Sequence, residues 1–398
     1  MLTGLDRLVA MPDRLAIMRS ERVALLAHPA SVTRDLVHAR TALANAGIAP
    51  VIVFGPEHGY GGEAQDMVGV ADARDAYGTR VRSLYGAHFA DLSPRPEDLD
   101  GIDRLIIDLQ DVGARYYTFI WTAVLALRAA APRGIRVLVL DRPNPLGSDP
   151  QVIEGKNQED AYRSFVGLEP LPIRHGLTLG EVVAWRAHVE DVPRELLEVL
   201  TVKDLDPSAH ASAWDRPFVM PSPNMPSYET ALVYPGGCLL EGTNLSEGRG
   251  TTRPFEITGA PWLDGALLAK DFNAADLPGA RARAVTFMPT FHKHAKQVCG
   301  GVQIHVTDPR AFRPVRAYAL LIAMACRQDT NRFRFRTEPY EFIDDIPAFD
   351  LLTGSGRGRE AILAGALPRD VAAEIADAGT REIQTMRDAC EAAERFSC

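Results

Sequence analysis

Glu57 and His58 are the first residues whose setting suggests chemistry. They lie in FGPEHGYGGE, Phe54 to Glu63, where glycines and a proline turn the chain sharply just after a hydrophobic stretch. A carboxylate fixed in such a loop has already lost much of its orientational freedom, which suits it to proton transfer. The plainer role for Glu57 is to hold a loop amide or an arginine. Further on, DLQDVGARYYTFIWT puts Asp108 at the end of an apolar run and Asp111 in the turn that follows, with Arg115, Tyr116 and Tyr117 beyond. Asp111 and Arg115 can grip a hydroxylated or anionic ligand. They suit a helix start equally well, the aspartate facing free amides. In LDRPNP, Asp141, Arg142 and Asn144 precede a proline-stiffened turn and fit a site or the turn itself. His175 and Glu181 follow in RHGLTLGE, Glu181 three residues after Thr178 as in a capping box.

The densest polar stretch is EGTNLSEGRGTTRPFE, with Glu241, Asn244, Ser246, Glu247, Arg249, Thr251 and Thr252; Asn224 precedes it in PSPNMPS. Hydrogen-bonding groups crowded at glycine turns are what a sugar needs, since each hydroxyl both gives and accepts. The rigid fork of Arg249 also suits a carboxylate. A salt-bridged loop between domains is the alternative.

These groups need a scaffold, and the first half of the chain supplies one by repetition. RVALLAHPAS, APVIVFGPEHG, DRLIIDLQDVGAR and RVLVLDRPNP each run from a short apolar strand into a polar loop. DLVHARTALANAG and the segment from Tyr116 to Ala131 have helical length and composition. Buried runs separated by helices predict an α/β fold with a mostly parallel sheet covered on both faces. Ligands in such sheets gather beyond the C-terminal ends of the strands, where these polar loops fall. A second α/β segment follows, marked by ALVYPGG, the strand-like RAVTFMPTF and GVQIHVTD, a helix from Val315 to Cys326 and another from Arg369 to Ala392. Proline and serine cluster near residues 205 to 225, so the expected domains are 1–215 and 216–398, with the active site in the cleft between them.

Several function classes recede on composition and missing motifs. The 398 residues carry a formal net charge of −9 and no long basic tract, which argues against nucleic acid as a partner. No G-x-G-x-x-G follows the first strand and no phosphate loop occurs, so no nucleotide cofactor is expected. His292 and His294 in HKH point to opposite faces of an extended chain and are expected at the surface rather than on a metal. Ser246 has no elbow motif around it, which disfavours a serine hydrolase. The five cysteines fit no disulfide or zinc pattern; Cys238, beside the glycine-rich loop, is the one to watch for reactivity. The N-terminal stretch does not read as a signal peptide and no apolar run is long enough to span a bilayer, so a cytoplasmic protein without membrane insertion is expected.

Together FGPEHG, SLYG (Ser83 to Gly86), DLQDVGARYYT, LDRPNP, SFVG, PIRHGLTLGE, SPNMPS, YPGGCLLEGTNLSEGRGTTRPFE and GAPW resemble the DUF1343 proteins, which include exo-β-N-acetylmuramidases of the NamZ type. The matching stretches span roughly residues 20 to 300 in order. The resemblance implies a Rossmann-like N-terminal domain, a smaller α/β C-terminal domain, and release of terminal N-acetylmuramic acid from the non-reducing end of peptidoglycan fragments. Two departures bear on specificity: His28, Pro29, Ala30 and Ser31 stand where relatives tend to read TNQTG, and Gly61 where relatives often carry arginine. The expected setting is cell wall recycling, with a muropeptide or peptidoglycan-derived saccharide as partner.

Cleaving a glycosidic bond requires a proton for the departing oxygen and stabilisation of an oxocarbenium-like centre. Glu57 is the expected general acid. The second group stays open among Glu247, Glu181, Glu241 and Asp111, with Glu247 ranked first, and the 2-acetamido group of the sugar is a further option. Arg115 or Arg249 suits the lactyl carboxylate of a muramic sugar. Asn224, Asn244, His58 and His175 suit hydroxyl or acetamido contacts, and Tyr116, Asp141, Asn144 and Glu241 complete the expected binding set. An exo-glycosidase for another N-acetylated amino sugar and a noncatalytic cell-wall-fragment binding protein are the competing functions.

Overall fold

A computed structural model of the chain describes residues 1–149 and 152–398. Its first part is a seven-stranded sheet built from β1 (Val23–Ala27), β2 (Ile52–Gly55), β3 (Ala73–Arg74), β4 (Arg80–Ser83), β5 (Arg104–Asp108), β6 (Arg136–Leu140) and β7 (Leu197–Leu200). The spatial order is β3-β4-β2-β1-β5-β6-β7, and every pairing is parallel except that of the short β3 with β4. β1 and β2 are buried along their whole length, as a sheet covered on both faces demands. The alternation of side chains shows it directly: Ala24 and Leu26 enter one apolar cluster, and Val23, Leu25 and Ala27 enter another on the opposite face.

The second part holds a three-stranded antiparallel sheet, order β8-β10-β9, formed by β8 (Ile257–Ala260), β9 (Ala280–Phe287) and β10 (Cys299–Val306). One continuous cluster runs from Phe54 and Ile107 in the first sheet through Tyr234 and Phe255 to Val302 and Ile304 in the second. The expected helix at 315–326 is the helix Pro314–Gln328. ALVYPGG lies at the end of a helix, Tyr228–Gly237, that tolerates Pro235 inside it. The stretch 369–392 is two helices rather than one, Pro368–Ala376 and Thr380–Phe396, because the chain is extended at Asp377 and Gly379. The second of these returns to the first sheet: it packs on the helix Leu179–Val189, and Ser397 bridges Val199 in β7.

β1 and β5 are neighbours, yet the chain leaves β1 toward β2 on the other side. This reversal puts the loops after β1, β2 and β5 around one crevice at the strands' C-terminal ends, the usual place for a ligand in an open parallel sheet.

Candidate active site

Glu57 lies two residues beyond β2 and is 5% exposed. The loop turns tightly there: His58 and Gly59 have φ of 70° and 83°, and the His58 Nδ1 meets the Ala64 carbonyl at 2.9 Å. The Glu57 Oε2 accepts a hydrogen bond of 2.7 Å from the Thr118 hydroxyl, and Oε1 a longer one of 3.4 Å from the Met67 amide. Thr118 stands at the N-terminus of the buried helix Phe119–Ala130, which follows the β5 loop. Two strand-end loops thus converge on one carboxylate.

The space beside it is lined by His58, Asp66, Tyr116, Tyr117, Ser222, Asn224, Tyr234, Glu241, Arg249, Tyr340 and Glu341, among others. Of the candidates proposed above, Glu57, His58, Tyr116, Asn224, Glu241 and Arg249 therefore meet around one space. Asn224 donates to the Gln65 side chain at 2.7 Å. The Tyr116 hydroxyl donates to the Pro235 carbonyl, so its ring, not its hydroxyl, faces the space. Arg249 is clamped by three acids: Asp66 at 3.0 Å, Glu241 at 2.7 Å and Glu247 at 3.3 Å. Glu241 also accepts from the Tyr340 hydroxyl at 2.7 Å.

Glu247 is fully buried behind Arg249 and outside the lining. His292 approaches it at 2.8 Å and Lys293 at 3.0 Å. Burial alone would raise its pKa; Lys293, His292 and Arg249 together outweigh burial and hold the carboxyl well below its usual range. It is a fixed anion, not a proton donor. His292 is correspondingly no free surface ring, since its bond to Glu247 raises its pKa against the opposing effect of burial. Cys238 is 2% exposed and burial pushes its thiol up, which leaves it inert.

The remaining candidates lie outside the lining. The Arg115 guanidinium is spent on the carbonyls of Lys156, Leu171 and Leu352. Asp111 accepts from the Gly113 amide at 2.7 Å and lies 3.4 Å from the His175 ring, whose other nitrogen accepts from the Leu177 amide. Asn144 bonds the Leu177 carbonyl and the Leu146 amide. Asp141 and Glu181 serve the helix Leu179–Val189: Asp141 accepts from the Thr178 hydroxyl and the Gly180 amide, and Glu181 closes a capping box with Thr178. Asn244 holds the backbone at Arg332 and Arg334. The substituted loop after β1 is also internal. His28 accepts from the Gln110 amide and burial lowers its pKa to about 3, so its ring is a neutral prop. Gly61 is exposed and outside the lining.

Glu341 and Tyr340 were not foreseen from sequence. The turn Tyr340–Ile343 is closed by reciprocal backbone bonds of 2.8 and 3.0 Å, and its central residues Glu341 and Phe342 have φ of 48° and 69°. Such a turn normally announces itself with asparagine and glycine, and neither is present. Asp66, Thr118 and Ser222 were missed individually, although each lies inside or beside a motif already noted; Tyr117 was named there but given no role.

Two family models describing the exo-β-N-acetylmuramidase NamZ match the chain, the N-terminal one over residues 23–229 and the C-terminal one over 232–389. The peptidoglycan β-N-acetylmuramidase NamZ of Bacillus subtilis strain 168 is 40% identical over 366 residues, covering 91% of this chain and 84% of that protein. Two crystal structures of DUF1343 family proteins from Bacteroides fragilis NCTC 9343 share the fold. One is 28% identical with a TM-score of 0.83, covering 99% of this chain and 98% of that one; the other is 25% identical with a TM-score of 0.72, covering 98% of each. With both halves matched in order and the same architecture throughout, the chain belongs to the NamZ family of exo-β-N-acetylmuramidases.

Proposed function

We propose that the protein is an exo-acting glycoside hydrolase that releases terminal N-acetylmuramic acid from the non-reducing end of peptidoglycan fragments, with Glu57 acting directly on the scissile linkage. The observation that carries this reading is the position of Glu57: buried, held by Thr118, and facing an enclosed polar cavity beyond the C-terminal end of a parallel strand. Family membership supplies the substrate class. Tyr116 and Tyr234, 5.8 Å apart and nearly perpendicular, give the sugar an apolar wall. Asn224, Ser222 and Tyr117 supply neutral polar groups for its acetamido and lactyl substituents. Arg249, already held by three acids, fixes the shape of the site and attracts a further carboxylate only weakly. The enclosed shape suits a chain end better than a chain interior, and we place the reaction in the recycling of cell-wall fragments in the cytoplasm. No helix among the described residues is long and apolar enough to cross a membrane.

The test compares a chromogenic β-N-acetylmuramide with the matched β-N-acetylglucosaminide, which lacks the lactyl ether. Turnover of the first and poor turnover of the second is expected. Glu57→Gln should abolish turnover while leaving the folded state intact. Fragment binding without product after long incubation would instead identify a noncatalytic binding protein, and equal turnover of both sugars a broader exo-glycosidase.

A further inference from the structure

Four carboxylates were candidates to work with Glu57, and each is committed elsewhere. Glu247 is paired with Arg249, Lys293 and the His292 ring, Glu241 is held by Arg249 and Tyr340, Glu181 by its helix cap, and Asp111 by a turn amide. Glu341 is different. It lines the same cavity as Glu57, is 5% exposed, and has no cation bonded to it among the described residues. Among the described residues its side-chain hydrogen bond comes from the Tyr85 hydroxyl, to Oε2 at 3.0 Å.

The backbone shows that this position is held against its own preference. Two successive non-glycine residues, Glu341 and Phe342, occupy the left-handed region, which side chains other than glycine, asparagine and aspartate disfavour. Packing enforces it: the Phe342 ring meets Tyr85, Phe89 and Phe165 at centroid distances of 5.6, 6.2 and 6.3 Å. Strain fixed by surrounding structure and aimed into a cavity is a mark of function.

Resting on the glycosidase reading above, we propose that Glu341 is a second catalytic residue, the carboxylic acid that protonates the departing oxygen, and that Glu57 is its anionic counterpart at C1. As the C1–O bond breaks, its electron pair goes to the oxygen, which takes the Glu341 proton and leaves as an alcohol. The Glu57 carboxylate balances the positive charge at C1. Water then gives its hydroxyl to C1 and its proton to the carboxylate pair, which restores the starting state. Two carboxylates placed in unlike surroundings divide in this way into donor and anion. Burial, followed by the charge of Glu57, raises the Glu341 pKa well above the ordinary range; the Tyr85 hydroxyl opposes the shift, and Glu241 and Asp66 add to it.

The experiment uses two substrates, an unactivated muramic disaccharide and a dinitrophenyl β-N-acetylmuramide whose leaving group needs no proton. Glu341→Gln should lower kcat on the disaccharide by about 100-fold or more, keep turnover of the dinitrophenyl glycoside, and lose the alkaline fall of its pH profile. Glu57→Gln should lose both substrates. Glu341→Asn, whose side chain accepts positive φ readily, should behave like Glu341→Gln with undiminished thermal stability. Tyr85→Phe removes a bond that favours the ionised acid and should move the alkaline limb to higher pH. The proposal is overturned if Glu341→Gln turns over the disaccharide at the wild-type rate, or if Glu57→Gln is the variant that the activated leaving group rescues. Failure of wild-type enzyme to cleave either muramic substrate would instead remove the glycosidase reading itself.

Discussion

Glu247 has no solvent exposure and touches Arg249, His292 and Lys293. Replacing it with glutamine leaves that cluster of positive charge without its anion, which should cost about 3–5 kcal/mol of stability in denaturant titration at neutral pH. The sign with pH follows from its lowered pKa. The contribution is present above the ordinary carboxyl value of 4.5 and is lost as the pH falls through the lower folded value. The Glu247→Gln variant should therefore lose less stability on acidification than the parent. At this scale the sequence reveals Glu57, because glycine and proline mark its loop, and it points to Arg249 through its polar neighbours. It conceals which acids are neutralised by distant cations: Lys293 is 46 positions from Glu247 in the chain, and nothing near Glu247 announces it. Glu341 was hidden for a second reason, since its left-handed turn contains none of the residues that favour that conformation.

At the scale of elements, uniformly apolar runs made the four central parallel strands legible, while β4 and β7, which mix charged and apolar residues, were not. The helix cap at Thr178 was legible because its geometry is local. The Thr178 side chain accepts from the Glu181 amide at 3.2 Å, and Glu181 accepts from the Thr178 amide at 2.7 Å. Burial, opposed by the Thr178 amide and reinforced by nearby Asp141, raises the Glu181 pKa to about 7. A raised folded pKa means stability present below the unfolded value is lost as pH rises toward 7. Glu181→Gln keeps the cap, because glutamine serves the same position, and removes the buried charge. Its melting temperature should fall less than that of the parent between pH 5 and pH 7. Thr178→Ala, which also removes the bond to Asp141, should cost about 1 kcal/mol or more in the same assay.

Across the whole molecule, the pattern of strands and loops indicated an α/β fold with a large parallel sheet and a smaller second part. The return of the C-terminal helix was not indicated, because an amphipathic helix does not reveal which surface it covers. Met386, Ala389 and Phe396 join the same apolar cluster as Trp185, and the Cys398 amide bonds the Val199 carbonyl at 3.0 Å. Deleting residues 380–398 should therefore destabilise the first sheet, seen as a lower melting temperature and faster proteolysis within residues 179–200, far away in sequence.

The clamp on Arg249 carries one more consequence. Asp66 comes from the loop after β2 and Arg249 from the segment before β8, so the 3.0 Å pair ties together stretches far apart in the chain, one from each sheet's part of the fold. Expressed as separate polypeptides, the two pieces would each bury or expose a charge made for the other, and neither would hydrolyse anything until they associated. Gentle warming that loosens this tie should silence the enzyme while the circular dichroism of the parallel sheet is still intact.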